Sequence, residues 1–107
     1  MRTLGTFEIF EIFKIKFGLA LAGKLISGEP ISNGNDILKK NIYISFIYND
    51  KKFTEKIIQL DGRFGRPGQD LIMEKNDNIA LLIEINNETE VLSKFESSPI
   101  LGEIFEK

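Results

Sequence analysis

The chain has 107 residues, a length that predicts one domain spanning residues 1–107. It contains no Cys and no His, which excludes disulfides, thiolate or imidazole metal sites, and catalysis by a Cys or His side chain. A hydrophobic content of 42% is typical of a globular protein, and 14 basic against 16 acidic residues argue against broad, nonspecific nucleic-acid binding.

The chain also lacks the sequence signals of membrane insertion and export. No stretch approaches the ~18 consecutive apolar residues that a transmembrane helix requires. Charged residues interrupt the first positions before the apolar run of a secretory signal peptide can form. We therefore expect a cytoplasmic protein with no membrane partner.

The first predicted elements are two long strands. Phe7–Phe17 is rich in β-branched and aromatic residues, and its apolar residues alternate with charged ones. The alternation changes phase near Ile12–Phe13, which predicts a β-bulge there. Leu19–Leu25 alternates leucines with small residues and predicts the second strand, inside which Gly23 indicates a bulge or a close approach of another backbone.

Two turns and two further strands follow. Residues 27–30 and 32–36 are rich in Ser, Gly and Asn, which favours turns. Between the turns and the next long segment, Ile37–Leu38 is expected to begin a short strand. Ile42–Tyr48 is apolar on both faces and predicts a mostly covered strand.

The centre of the chain predicts a hairpin and then a loop. Residues 49–52 form the expected hairpin turn, and Phe53–Leu60 is the expected return strand. Residues 61–70 contain three glycines and one proline, which predicts a loop. Leu71–Met73 is a short apolar piece that follows it.

The last third predicts two strands separated by a polar segment. Ile79–Ile85 is the clearest buried strand, residues 86–99 are polar with room for a single helical turn, and Ile100–Phe105 is the closing strand. This gives about seven short strands and no convincing amphipathic helix. We therefore predict an all-β fold, a small closed antiparallel β-barrel, because closure leaves no long exposed edge.

Several stretches of this sequence occur in a familiar order. The first strand reads Phe7-Glu8-Ile9-Phe10-Glu11-Ile12-Phe13, four glycines follow at Gly18, Gly23, Gly28 and Gly34, and later come Asp77-Asn78-Ile79-Ala80-Leu81-Leu82 and Gly102-Glu103-Ile104-Phe105. In this order they resemble the second, β-barrel domain of translational GTPases such as elongation factor Tu. We expect the glycines to be structural: Gly28 and Gly34 at turns with positive φ, and Gly23 at a tight bend.

The resemblance implies a binding module without catalysis. No P-loop motif occurs, so we expect no nucleotide, and the sequence indicates no metal and no other cofactor. In the family, this barrel helps to hold the acceptor end of an aminoacyl-tRNA or docks on other domains and the ribosome. The first hypothesis is therefore association with RNA or a ribonucleoprotein. The alternative is a protein–protein interaction barrel, such as an inhibitor or immunity-type partner of another protein.

The best candidate binding residues lie in the predicted loop. Arg63 and Arg66 bracket Phe64 beside glycines, and arginine binds phosphate or carboxylate while an exposed Phe can stack on a base or fill a partner's pocket. Paired carboxylates are the only acid–base option. Glu8 and Glu11 lie on opposite faces of a strand unless a bulge intervenes, and Asp61 and Asp70 flank one loop. These pairs are more simply solvated acids, so we predict no enzyme.

Overall fold

Nine β-strands and two short helical segments make up the part of the chain that the computed structural model describes, namely residues 1–16, 18–62, 71–95 and 99–107. The helical segments are a single turn at Asn33–Ile37 and a 3₁₀ helix at Thr89–Lys94, which matches the helical turn expected within residues 86–99. The strands are β1 (Arg2–Ile15), β2 (Gly18–Gly28), β3 (Ile31–Ser32), β4 (Ile42–Tyr48), β5 (Lys51–Lys56), β6 (Gln59–Gly62), β7 (Ile72–Met73), β8 (Asn78–Ile83) and β9 (Ile100–Glu106).

Seven of these strands form one antiparallel sheet, which confirms the coarser part of the prediction, a mostly β antiparallel protein. The strand order is β5-β4-β9-β1-β2-β8-β6, and β3 pairs separately with β7. One face of the sheet carries the apolar core, in which Phe7, Leu21 and Ile44 are fully buried. The alternation of apolar and polar residues along each strand thus sends one set of side chains inward and the other set outward.

The two edge strands of this sheet are consecutive in the chain. Only Ile57 and Ile58 separate β5 from β6. The Ile57 N–H donates to the Ile42 carbonyl at the start of β4, at 2.9 Å, and the Ile58 N–H donates to the Leu82 carbonyl on β8, also at 2.9 Å. The predicted return strand Phe53–Leu60 is therefore wrong as one uniform strand, because the backbone changes its hydrogen-bonding partner between these two isoleucines.

The long first strand carries the predicted β-bulge, but at an earlier position. The register of β1 against β2 shifts between Thr6 and Phe7 and again between Ile9 and Glu11. At the second shift Ile9 pairs with Gly23 and Glu11 pairs with the next residue, Ala22, so Phe10 is the extra residue. The placement near Ile12–Phe13 was wrong because a phase change reveals an extra residue without fixing which one it is.

The segment after β3 folds as a helical turn, so the short strand expected at Ile37–Leu38 is wrong. The Ser32 hydroxyl accepts from the Asn35 N–H at 3.0 Å, and the Asp36 carboxylate accepts from the Ser32 N–H at 2.8 Å. These local bonds satisfy the backbone without a strand partner. Asn33, which is buried, accepts through Oδ1 from the Leu60 N–H at 2.9 Å and so ties this turn to β6.

The predicted hairpin between β4 and β5 is confirmed. Its turn residues Asn49 and Asp50 have φ values of 52° and 62°, the left-handed pair that a two-residue hairpin favours. Asn76, in the turn before β8, has a φ of 70°. Asn and Asp tolerate this conformation better than most residues do.

The four glycines singled out in the sequence differ in their roles. Gly28 ends β2 with a φ of 114°, which confirms the expected positive φ, whereas Gly34 lies within the helical turn and has no positive φ. Gly18 is the first residue of β2. Gly23 is needed for a close approach, because a Cβ there would overlap the Glu8 carbonyl oxygen on β1.

We expect Gly28→Val to lower the free energy of unfolding by roughly 1–3 kcal/mol. A β-branched residue is strained at positive φ, and its Cβ would also meet the Leu4 carbonyl oxygen. Urea denaturation measures the change. The control is Gly62→Ala, whose Cβ would meet only the methyl groups of Leu71 at 3.3 and 3.5 Å. Equal stabilities of wild type and Gly28→Val would contradict the assigned conformation.

Candidate binding groove

The outer face of the sheet carries a groove that crosses four strands. One row of paired residues forms its base: Glu11 on β1 pairs with Ala22 on β2, Ala22 with Ala80 on β8, and Ala80 with Asp61 on β6. Three strand spacings of about 4.8 Å separate the Cα atoms of Glu11 and Asp61 by roughly 14 Å. The two alanine methyl groups between them rise little above the sheet, which leaves a trough with an acidic residue at each side.

Two phenylalanines on β1 form an aromatic wall of this trough. Phe10 is 37% exposed and Phe13 is 42% exposed, although both side chains are large and apolar. The trough is open to solvent and has a volume of about 380 Å³, at the lower end of the range of ligand-binding pockets. We call this feature the outer groove and define it by Phe10, Glu11, Phe13, Ala22, Asp61 and Ala80.

The bulge in β1 determines which side chains reach the outer groove. Glu8 pairs with Lys24 and Glu11 pairs with Ala22, and these two partners lie on the same face of β2. Glu8 and Glu11 therefore share the outer face, because the extra residue Phe10 intervenes between them. The Lys24 ammonium lies 5.7 Å from the centroid of the Phe10 ring, which is within the range of a cation–π contact.

The described side chains that line the outer groove give it a negative character. Its charged residues among them are Glu11 and Asp61, and both are exposed. The floor and the aromatic wall are apolar. This combination is suited to a ligand that has an apolar part and a positive charge, since apolar contact and charge complementarity then act together.

A second cavity lies beside the start of β1 and the end of β9, and four of the charged residues that line it form two ion pairs. Arg2 lies 3.7 Å from the Glu106 carboxylate, and Lys40 lies 3.1 Å from the Asp36 carboxylate. Burial raises the pKa of Asp36, but the Ser32 N–H and the Lys40 ammonium outweigh it and hold that pKa below its ordinary value. These contacts support the fold locally, so we do not assign a ligand to this cavity.

A third, smaller cavity of about 250 Å³ contains a perturbed carboxyl group. Partial burial raises the pKa of Glu55, and the negative charges of Glu88 and Glu84 raise it further, while Lys51 opposes them. The cavity is lined by Tyr43 as well as by Glu55 and Glu84. The acidic groups here repel one another, which lowers the stability of the folded protein when they are ionised.

The loop residues selected from the sequence, Arg63, Phe64 and Arg66, lie outside the described residues, as does Asp70. The ends of that loop are described. Gly62 lines the outer groove, and Leu71 is its neighbour, with a methyl group 3.3 Å from where a Gly62 Cβ would lie. The loop therefore leaves and rejoins the described structure beside the outer groove.

Sequence reasoning missed Phe10 and Phe13 as surface residues and placed Asp61 only beside a loop. The available signal was the alternation of leucine with Ala20 and Ala22 along β2, which leaves small residues on the outer face. That signal indicates that the outer face of β2 carries short side chains at these two positions. The partners that complete the groove are identified only by the strand register.

Neither a metal centre nor a membrane-spanning helix is found in the described ranges. No group of three or more metal-binding side chains is placed there to hold an ion, and no helix there has the length and apolar character needed to cross a membrane. A scan against protein-family models and searches of curated proteins and of solved structures gave no match for this chain. The likeness to the translation-factor barrel thus stays a prediction made from sequence motifs.

We expect Glu55→Gln to raise the free energy of unfolding at pH 7 by less than about 1 kcal/mol. Because the folded-state pKa is raised, ionised Glu55 lowers stability at neutral pH, and this cost disappears as the pH falls through the raised pKa. The advantage of the variant should therefore shrink to zero towards the ordinary Glu pKa of 4.5.

Denaturation curves at several pH values measure this difference. Glu74→Gln is the matched control, because it removes the same charge from an exposed position. It should change stability by no more than about 0.5 kcal/mol at pH 7. A loss of stability in Glu55→Gln at neutral pH would contradict the unfavourable environment of this carboxylate.

Proposed function

We propose that this chain is a noncatalytic binding module built on a closed β-barrel, and that it docks a protein partner in the outer groove. The observation that carries the proposal is the pair of exposed side chains of Phe10 and Phe13 above a floor of alanines. Exposed aromatic residues next to a concavity are typical of interaction sites, since aromatic side chains dominate binding energy at interfaces.

The strand connections support closure of the sheet into a barrel. The edge strands β5 and β6 are consecutive in the chain, and the two residues between them bond to Ile42 on β4 and to Leu82 on β8, the strands next to the two edges. A segment that pairs with β4 through its first half and with β8 through its second half draws the two ends of the sheet together, which favours closure. The outward-facing side chains then become the available binding surface.

Charge and shape favour a protein over a nucleic acid as the occupant of the outer groove. Glu11 and Asp61 would repel a phosphate backbone at this place. An apolar side chain of a polypeptide can instead pack against Phe10, Phe13 and the alanine floor. This step favours the protein-interaction hypothesis over the RNA hypothesis for this surface.

We expect replacement of Phe10 and Phe13 together by Ser to weaken partner capture by about 30-fold or more. That factor corresponds to the roughly 2 kcal/mol typical of a dominant interface residue. The measurement uses the immobilised protein with nuclease-treated lysate of the source cell, and compares the amount of each captured protein on wild type and variant.

The matched control replaces Leu38 and Ile72 by Ser. These residues are 53% and 52% exposed, and they do not line the outer groove. Capture should persist in the control and fall in the groove variant, while thermal unfolding confirms that both remain folded. Capture of the same proteins in equal amounts by the groove variant and wild type would contradict the proposal.

A second candidate function is RNA binding, which is favoured by the resemblance to the translation-factor barrel and by the composition of the loop with Arg63, Phe64 and Arg66. The described neighbour of this loop, Gly62, lines the outer groove. RNA bound there would approach the carboxylate of Asp61. We therefore rank this function below protein binding.

We expect the isolated protein to bind transfer RNA weakly or not at all at about 0.2 M salt, because acidic residues outnumber basic ones. Fluorescence anisotropy over a series of salt concentrations measures the binding. If RNA does bind, Arg63→Ala with Arg66→Ala should weaken it and flatten the salt dependence, and Phe64→Ala should cost roughly 1–3 kcal/mol. Tight binding that survives 0.2 M salt (about physiological strength) would place the RNA function first.

A further inference from the structure

The charges of the outer groove indicate what kind of side chain its partner presents. Glu11 and Asp61 stand on strands at opposite sides of the alanine floor, with Cα atoms roughly 14 Å apart. The two carboxylates can therefore approach one extended side chain, or two neighbouring ones, from both sides. The described lining residues supply no basic side chain to neutralise them.

The aromatic wall is suited to the same kind of group. The ammonium of Lys24 lies over the Phe10 ring, at 5.7 Å from its centroid, so the Phe10 ring already has a cation beside it and the Phe13 ring is the one offered to a partner's cation. Phe13 is exposed. A lysine or arginine side chain has an apolar stem that can lie on Ala22 and Ala80 while its charged head meets a carboxylate or the face of a ring.

We propose that the outer groove recognises a lysine or arginine, next to an apolar residue, on a polypeptide segment of the partner. This inference rests on the proposed protein-binding function and specifies its ligand. The argument is charge complementarity combined with the apolar floor: an acidic segment would be repelled by Glu11 and Asp61, and a wholly apolar one would leave both carboxylates without a counter-charge.

The experiment is selection from a random dodecapeptide library displayed on phage. Peptides are selected on the wild-type protein and then tested for loss of binding to Phe13→Ser. We expect the groove-dependent peptides to be enriched in Lys or Arg beside an apolar residue. For one such synthetic peptide, fluorescence polarisation then gives Kd for wild type and for Glu11→Gln with Asp61→Asn.

The variant with both Glu11→Gln and Asp61→Asn should bind the peptide with a Kd about three- to tenfold higher, as expected for the loss of two partly exposed charge pairs. The salt dependence of its Kd should also be weaker than that of the wild type. The matched control is Glu29→Gln with Glu74→Gln, which removes the same two charges from residues that do not line the outer groove and should leave Kd within about twofold. Thermal unfolding confirms that each variant is folded.

Each outcome decides one of the two proposals. Basic groove-dependent peptides whose Kd rises in the neutralised variant support the inference. Peptides that require Phe13 but lack basic residues, or whose Kd is unchanged by neutralisation, overturn the inference and leave the protein-binding function standing. If every selected peptide binds wild type and Phe13→Ser equally, both the inference and the use of the outer groove for protein binding are overturned.

Discussion

The close approach of the β1 and β2 backbones at Gly23 is the constraint on which the rest of the sheet surface depends. The Glu8 carbonyl oxygen occupies the place where a Cβ of residue 23 would lie, and the Phe7 ring would be only 3.0 Å away from it. Ile9, the partner of Gly23, directly precedes the extra residue Phe10. The close approach and the bulge therefore occur at neighbouring positions of the β1–β2 pairing, and any side chain at position 23 would disturb both of them.

The bulge lets one strand serve the core and the outer groove without conflict. Phe7 and Ile9 point inward before it, and Ile12 points inward after it, although the spacing from Ile9 to Ile12 is odd. The core thus keeps its apolar residues on both sides of the register shift. The cost is that Phe10 is left outside, and together with Glu11 it forms one side of the groove.

Much of the fold could be predicted from the sequence, because alternation and turn residues are local signals. The bounds of β4, Ile42–Tyr48, are those that the alternation predicts. The two failures had different causes. A helical turn replaces the strand expected at Ile37 because Ser32 and Asp36 form hydrogen bonds within the same short segment, an alternative to strand pairing that these residue types offer. The break after β5 depends on a distant residue, because the Ile58 N–H donates to the Leu82 carbonyl. The candidate site was harder to predict from the sequence, because its residues come from four strands and are brought together only by the strand register.

The alanine floor of the outer groove gives a further reason to propose a function for it. Alanine is a poor strand residue compared with β-branched ones, yet Ala22 on β2 and Ala80 on β8 are paired within the sheet. Larger apolar residues there would fill the trough and cover Phe10 and Phe13. The small residues instead leave the aromatic side chains accessible, and this accessibility is the feature on which the proposed docking function rests.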